Sequence, residues 1–362
     1  MPREIHLETR TLTETTNLIK PRVNCWQQLL WPQSTWDPVG TSVIELSFLE
    51  GDRESAPFVR RGAAGILMAG DTERFALVEA PNIRIKANLD PRKLADTRFP
   101  GQGIFIGSGA EQLSAAERHV AQRMARLRER IDNTMEVMCS QLVQGQISYS
   151  VDGQDNFQIT LPRDSGHDIT LSAGLLWGSG TENIPENFFT VKDLVSDKLG
   201  MQVTHCVLGS EAGAEFRLQA ADITKLGSLL DNRRLVAMQA DLTRQFEQSG
   251  AIYLGELSGI QVWQYSRTIN VDGVATPMVR PKYAEFISAT PAAENVMYFG
   301  AIEDLDAMGF GDGGDEGSFQ SPFFAKSWNE KDPSARVMLM HSRPLPWTRK
   351  ANSRVSMKVI TG

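Results

Sequence analysis

The longest regular pattern of apolar and polar residues lies near the middle of the chain. Between Leu113 and Val143, apolar residues recur at steps of three, four or seven, which places them along one stripe of a helix. The stripe consists of Leu113, Val120, Met124, Leu127, Ile131, Met135, Met138 and Leu142. Charged residues, among them Arg128 and Asp132, fall mostly off it, as solvent-facing residues do. With a stop at Gly145, the pattern predicts a helix of about thirty residues and roughly 45 Å.

Directly after this helix the period of the apolar residues changes to two. The alternating positions are Ile147, Tyr149 and Val151, followed by Phe157, Ile159 and Leu161. Asp152-Gly153 lies between the two runs and is a strong turn signal, so the pattern predicts a β-hairpin. A long helix that leads straight into a hairpin favours an elongated structural subunit. A long helix packed inside an ordinary α+β enzyme is the alternative.

Residues 43–89 contain two strand-like runs around a glycine-broken centre. The runs are SVIELSFLE and FALVEAPNIRIKANL, with about twenty-five residues between them, which is unusual inside a compact domain. We expect a projecting two-stranded arm. Because an isolated hairpin is only marginally stable, another subunit is its natural support. The candidates for inter-subunit contact near its tip are Phe58, Arg60, Arg61, Ile66, Leu67 and Met68.

The first forty residues are not typical of a domain. A Thr-rich polar stretch leads into NCWQQLLWPQSTWDP, in which Trp26, Trp31 and Trp36 lie beside several prolines. Three tryptophans bury more area than a short arm can cover by itself. We therefore expect an arm that docks these aromatics on a neighbouring subunit, and they complete the set of inter-subunit contact candidates. Packing on the chain's own body is the alternative.

The second half of the chain predicts a mixed α+β region over about 190–320. A short helix is expected from about Val191 to Leu199 and a buried strand from Val203 to Leu208, and Asp272-Gly273 is a second hairpin turn. Residues 221–246 are helical in part by their pattern. Two closing strands are expected around Val337–His341 and Val355–Val359.

Composition narrows the function classes. The net charge of −7 and the absence of a long basic run argue against tight, non-specific nucleic-acid binding. Three separated cysteines, Cys25, Cys139 and Cys206, form no disulfide framework and indicate a reducing compartment. No apolar run approaches the ~20 residues of a membrane span, and the polar N-terminus is not typical of a signal peptide. We expect a soluble protein made in a cytoplasm.

Motifs that could carry chemistry are weak. The glycines of PGQGIFIGSGAE match neither a P-loop nor a dinucleotide fingerprint. Asp304, Asp306, Asp312 and Asp315 partly match a calcium loop, but its fifth place is Met308 and flanking helices are not predicted. An acidic surface loop is the better interpretation.

The histidines offer no stronger site. Ser165, His167 and Asp168 have the residue types of a catalytic triad, but adjacency in sequence is not triad geometry and GxSxG is absent. His205 lies in an apolar strand, where a core histidine is expected. The sequence therefore predicts no catalytic residue, no cofactor and no metal site, and so a protein that is not an enzyme.

The order of the segments resembles the major capsid proteins of tailed bacteriophages, specifically the lambda-type major head protein family with the Hong-Kong-97-type fold. The resemblance extends over nearly the whole chain. It is carried by APFVRRGAAGILMAGDTERFALVEAPNIRIKANLDP, the long helix with GQISYSVDGQDNFQITLPRD, VTHCVLGSEAGAEF, GIQVWQYSRTINVDG and SWNEKDPSARVMLMHSRPLPWTRKANSRVSMKVI.

The resemblance implies an α+β fold in five parts. These are an N-terminal arm (1–40), an extended loop or E-loop (41–92), a peripheral domain (93–189), an axial domain (190–325) and C-terminal strands that return to the peripheral domain (326–362). Within the peripheral domain the spine helix is expected at about 113–144 and its β-hairpin at 146–162.

The resemblance also implies a function. The chain would assemble with itself as hexamers and pentamers into the icosahedral shell around the double-stranded DNA genome of a tailed phage. It would be made in the host bacterial cytoplasm and reside in the virion, with a scaffolding protein, a portal and a decoration protein as partners. Packaged DNA would be contacted weakly and non-specifically, and no membrane is involved. Lys86 and Asn352 belong to no cross-linking motif, so no covalent cross-link is expected. An encapsulin-like shell, or a tail or connector component, is the alternative.

Overall fold

The computed structural model describes residues 9–19, 24–50, 72–89, 109–151, 155–180, 183–221, 249–309, 318–331 and 334–361. The helices in these ranges are α1 (Thr9–Leu18), α2 (Cys25–Leu30), α3 (Gly109–Val143), α4 (Ile184–Leu199) and α5 (Ser210–Ala221). The first nine strands are β1 (Trp36–Pro38), β2 (Val43–Glu50), β3 (Thr72–Glu79), β4 (Ile83–Leu89), β5 (Gln146–Val151), β6 (Asp155–Thr160), β7 (Asp168–Thr170), β8 (His205–Leu208) and β9 (Ala251–Leu257). The other nine are β10 (Ile260–Tyr265), β11 (Thr268–Val271), β12 (Val274–Pro277), β13 (Tyr283–Ile287), β14 (Asn295–Phe299), β15 (Phe324–Lys331), β16 (Ser334–Ser342), β17 (Pro344–Thr348) and β18 (Arg354–Lys358).

Helix α3 is the long helix that the apolar stripe predicts. From Val120 to Leu142 the residues of the stripe are buried. The interpretation of Arg128 and Asp132 as solvent-facing is wrong, because each side chain is about 1% exposed. The two form an ion pair across one helical turn, with 2.9 Å between Nε and Oδ1, and the guanidinium lies 3.3 Å from the ring centroid of Phe323. Their charges are tolerated inside because each has a partner there.

Strands β5 and β6 form the expected hairpin behind α3. Tyr149 pairs with Phe157 across the two strands, and their rings stack with centroids 5.3 Å apart. The turn at Asp152-Gly153 lies outside the described residues. The hairpin therefore extends the end of the helix by two strands, as the change of period predicts.

The structure divides the run FALVEAPNIRIKANL into two strands with different partners. Strand β3 pairs with β2, whereas β4 pairs with the C-terminal strand β16 in the three-stranded sheet β15-β16-β4. Ala80, Pro81 and Asn82 separate the two strands, and Pro81 lacks the N–H that a continuous ladder would need. The two-stranded arm is therefore β2–β3 alone, and β4 belongs to the body.

The body has two hydrophobic cores. The first lies between α1, α2 and α3 and the sheets β15-β16-β4 and β1-β14-β17. The second lies between α4, α5 and the six-stranded sheet β7-β18-β13-β8-β10-β9. Strand β17 belongs to the sheet β1-β14-β17 of the first core, and the next strand, β18, belongs to the six-stranded sheet of the second. The C-terminal segment therefore connects the two cores.

Helix α4 begins earlier than the sequence predicts. It starts at Ile184 because the side chain of Asn183 accepts a hydrogen bond from the N–H of Glu186, and Pro185 suits the first turn. It ends, as predicted, at Leu199, where Gly200 takes φ 66°. Gly209 directly follows β8 and lies against the backbone of residues 280–281. A Cβ at this position would lie 2.1 Å from the carbonyl oxygen of Arg280, so only glycine fits. The predicted partial helix after residue 221 lies outside the described residues.

Candidate functional site

Two of the three N-terminal tryptophans are buried in the chain's own body. The indole N–H of Trp26 donates to the carbonyl of Met278 at 3.1 Å, and that of Trp31 donates to the carbonyl of Trp347 at 2.9 Å. Neither side chain is more than 1% exposed. For these residues the structure thus shows the alternative interpretation, an arm packed on its own body. The sequence could not predict this packing, because the carbonyl groups that accept from the two indoles lie 252 and 316 residues further along the chain.

Trp36 is partly buried on the same side of the molecule. Its ring lies 5.0 Å from that of Phe299 and 5.9 Å from that of Phe323. Strand β1, which it begins, pairs in parallel with β14. The remaining contact candidates, Phe58, Arg60, Arg61, Ile66, Leu67 and Met68, lie outside the described residues, and their contact with a neighbour stays a prediction.

A buried carboxylate caps the start of α2 from another helix. Glu136 of α3 accepts hydrogen bonds from the backbone N–H groups of Trp26 at 3.0 Å and Gln27 at 3.2 Å, and from the Tyr265 hydroxyl at 3.0 Å. The first N–H groups of a helix have no partner within it, so an acid is stabilised there. Burial raises the pKa of Glu136, and the three hydrogen bonds oppose that rise.

Further polar contacts continue this capping along α3. The carbonyl of Asp132 accepts from the side-chain amides of Asn24 at 3.1 Å and Gln27 at 2.7 Å. The Arg128 guanidinium donates to the carbonyl of Thr16 at 3.2 Å. We call the set Asn24, Gln27, Arg128, Asp132 and Glu136 the arm–helix seam. It fixes α1 and α2 to the long helix at several points.

The sequence contains a local signal for the arm–helix seam. Arg128, Asp132, Glu136 and Ser140 recur at steps of four on α3, which is a helical stripe of polar residues beside the apolar one. All four side chains are at most 2% exposed. A polar stripe of this kind predicts a buried polar partner when a second segment packs on it.

The hairpin β2–β3 has one covered face and one exposed face. Ile44 and Leu46 are buried on the inner face, where Phe48 also contacts Trp347 with ring centroids 4.8 Å apart. On the other face, Val43, Phe75 and Leu77 are 45%, 58% and 75% exposed. We call these three residues the outer hairpin face. Large apolar side chains grouped in solvent mark an interaction surface.

The base of this hairpin is clamped to the body by one arginine. The buried Arg343 guanidinium pairs with Glu79 at 3.1 Å and Glu303 at 3.0 Å, and also donates to the carbonyls of Ala80 at 3.1 Å and Ala301 at 3.2 Å. The clamp holds the point at which the chain leaves β3 for β4. The orientation of the hairpin on the body therefore depends on Arg343.

The calcium-like loop has its charges occupied by basic side chains. The Lys326 ammonium lies 2.7 Å from the Asp304 carboxylate and 2.8 Å from that of Asp306, and Arg84 lies 3.1 Å from Asp304. Asp312 and Asp315 fall outside the described ranges. Across the residues that the structure describes, no group of three or more His, Cys, Asp or Glu side chains is placed to hold a metal ion.

The histidine candidates do not form a catalytic constellation. Burial lowers the pKa of His205 to about 4, and its Nδ1 lies 2.8 Å from the Thr204 hydroxyl. Asp168, next in sequence to the buried His167, pairs with Arg163. None of the described helices has both the length and the hydropathy of a membrane span.

Comparison with known proteins gives a consistent family. A family model described as phage major capsid protein E matches residues 8–359. A prophage protein of E. coli CFT073, described as a candidate capsid protein, superposes with a TM-score of 0.72 at 18% identity over 98% of this chain and 99% of that chain. A phage-related protein of Bordetella bronchiseptica RB50 gives 0.53 at 11% identity, over 97% of both chains.

A third solved structure extends the comparison. The capsid of Ralstonia phage GP4 gives a TM-score of 0.50 at 9% identity, with 95% of this chain and 93% of that chain covered. No curated protein sequence matches the chain. At these identities the structural likeness shows a shared fold.

Proposed function

The chain belongs to the phage major capsid protein E family, and from this membership we propose how its surfaces build a shell. The protein is a shell-forming major capsid protein with the Hong-Kong-97-type fold, and its place is the virion. We propose that it forms hexamers and pentamers that close into the icosahedral shell of a tailed phage, with assembly in the host bacterial cytoplasm. In this proposal the first core belongs mainly to the peripheral domain and the second to the axial domain. The sheet of the second core also contains β7 and β18, which the sequence-derived bounds assign to the peripheral domain and to the strands that return to it, so those bounds do not follow the two cores at these strands.

The outer hairpin face carries the proposal for the subunit contact. Contacts that close into rings are heterologous, so one subunit must present a surface that a different surface of its neighbour receives. Val43, Phe75 and Leu77 present apolar area on a hairpin whose inner face is already covered by the chain's own body. Full burial of a Val, Leu or Phe side chain contributes about 1.5–3 kcal/mol. Since the contact repeats at every subunit of a ring, this area supports a stable capsomer.

A double substitution tests this contact. The Phe75→Ser, Leu77→Ser variant removes most of the exposed apolar area and leaves the inner face intact. We expect folded, soluble subunits that form few closed shells, measured by negative-stain electron microscopy and sedimentation. The control at the same positions is Phe75→Tyr, Leu77→Met, which keeps apolar area and should assemble. Closed shells at wild-type yield from the Ser variant would remove the outer hairpin face from the interface.

The remaining partners follow from the family role. We propose a scaffolding protein, a portal and a decoration protein as partners of the shell, and weak contact with the packaged DNA. We also propose that the subunit has no catalytic activity. This is supported by the pairing of Asp304 and Asp306 with Lys326, which occupies the carboxylates of the calcium-like loop.

A further inference from the structure

Three arginines form a stripe on the exposed side of α3. Arg123, Arg126 and Arg130 are spaced at i, i+3 and i+7, which places them within about 60° of one another around the helix and over ~10 Å of its length. Arg126 and Arg130 are exposed and Arg123 is partly exposed. In the part of the chain that the structure describes, none of the three guanidinium groups pairs with an acidic side chain. We call these residues the arginine stripe.

The stripe leads into a groove of about 620 Å³. Arg130 lines one end of the groove, and the following turns of α3, strand β5, strand β11 and residues 81–83 form its walls. The lining combines neutral polar side chains, namely Asn82, Asn133, Thr134, Gln141, Ser148, Ser150 and Asn270, with apolar ones such as Ile83, Val137, Met138, Ile269 and Val271. Asp272 is the one acid among the lining residues.

One backbone donor belongs to a residue that lines this groove. Among the described strands, β5 pairs with β6 alone, so its other edge is open. On that edge the backbone N–H of Ser148 donates to the side-chain oxygen of Gln141 at 3.3 Å. At 3.3 Å this hydrogen bond is long. A phosphate oxygen in the groove could replace Gln141 as the acceptor, because a charged acceptor forms a stronger hydrogen bond than a neutral amide.

Arginine, amide, hydroxyl and backbone N–H groups are the set that contacts nucleic-acid phosphates. We propose that the arginine stripe and the polar wall of the groove bind the phosphate backbone of the packaged double-stranded DNA. This rests on the proposed shell function. Successive phosphates on one strand advance by ~3.4 Å along the duplex axis, so a 10 Å stripe reaches about three of them. Because the rest of the subunit contributes to a net charge of −7, the contact is local and weak.

The salt dependence of DNA binding tests the proposal. The test variant is Arg123→Gln, Arg126→Gln, Arg130→Gln, and the charge-matched control is Lys192→Gln, Lys198→Gln, Arg217→Gln on α4 and α5. Binding of unassembled subunits to a fluorescent duplex of random sequence is measured by anisotropy from about 20 to 200 mM salt. Each lost phosphate contact lowers the slope of log K against log salt by ~0.9. We expect a decrease of up to about 2.7 for the stripe variant and a much smaller one for the control.

Shell formation by the same variants separates this proposal from the proposed function. The stripe variant should form closed shells of normal size, as the wild type does. Equal slopes for both variants, or no measurable binding by the wild type at the lowest salt concentration, would overturn the proposal. Loss of shells with an unchanged DNA slope would assign the stripe to a protein contact and would also overturn it. Absence of shells from the wild type would instead contradict the proposed function.

Discussion

Glu136 is the residue of the arm–helix seam whose replacement should have the clearest effect. Its carboxylate accepts from two backbone N–H groups of α2 and from the Tyr265 hydroxyl. In Glu136→Ala both N–H groups stay buried without an acceptor, at about 1–3 kcal/mol each, whereas the hydroxyl can rotate to another partner. We expect a loss of about 4 kcal/mol in the free energy of unfolding. This is a large part of the roughly 5–15 kcal/mol that is typical of a folded protein.

Glu136→Gln separates the hydrogen bonds from the charge. One oxygen remains for Trp26 and Tyr265, but the amide NH₂ faces the N–H of Gln27, so about 1 kcal/mol should be lost at neutral pH. Burial raises the pKa of Glu136, so the unfolded chain ionises first as pH rises. The stability of the wild type relative to Glu136→Gln is therefore greatest at low pH, falls through the interval between the unfolded and folded pKa, and then levels off.

Two measurements on unassembled subunits check these expectations. Urea denaturation gives the free energy of unfolding, and hydrogen exchange detected by mass spectrometry reports on the amides of residues 24–31. Gln122→Ala, on the exposed face of the same helix, is the control and should change stability by less than about 0.5 kcal/mol. A loss below about 1 kcal/mol for Glu136→Ala, with protection of α2 unchanged, would refute the assignment of the seam as the attachment of the arm.

Two further predictions concern buried charges. Asp132→Asn leaves the Arg128 guanidinium buried without its carboxylate and should lower the free energy of unfolding, measured by urea denaturation, by about 3–5 kcal/mol. The double variant Arg128→Met, Asp132→Leu removes both charges and should recover most of that lost stability. Equal losses of stability in the two variants would contradict a charge effect. Burial lowers the pKa of His341 to about 4; Arg84 and Arg343 add to this effect, and Asp304 and Glu303 oppose it. The contribution of the neutral imidazole to stability is therefore complete above pH 6.5 and is lost as pH falls toward 4. His341→Gln should remove about 3 kcal/mol of that pH dependence, and a urea midpoint with the wild-type pH profile would show that His341 does not titrate in this range.

The sequence predicts the parts of the fold whose signals are local. The apolar stripe of α3 and the alternation in β5 and β6 each depend on residues within a few positions, and the structure shows both elements. The predicted start of α4 at about Val191 is wrong, although Asn183 and Pro185 provide a local signal for the observed start at Ile184. Helix ends are decided by such single side chains more than by periodicity.

The parts that failed depend on partners far away in the sequence. Trp26 and Trp31 look like an exposed arm because their carbonyl acceptors, on Met278 and Trp347, come much later in the chain. Strand β4 follows β3 closely but pairs with β16, which no local pattern indicates. The sequence predicts Asp132 at the surface, because nothing near it in the chain indicates that α2 packs on α3 at this position. Whether a polar side chain is buried depends on which segments pack together in the tertiary structure. A prediction from the polarity of each residue alone therefore places buried polar residues at the surface.

The pairing of the first residues of the chain with the last has a consequence for synthesis on the ribosome. Thr13 bonds the carbonyl of Ala325, and Trp31 bonds that of Trp347, across 312 and 316 residues. At ~5–20 residues per second, the N-terminal segment waits roughly 15–60 s for these partners to emerge. Until then β4 lacks its partner β16, and β17 has not joined the sheet of β1 and β14, so the first core stays open. The residues that pair with Thr13 and Trp31 are therefore made late, and the first core closes only after they have been made.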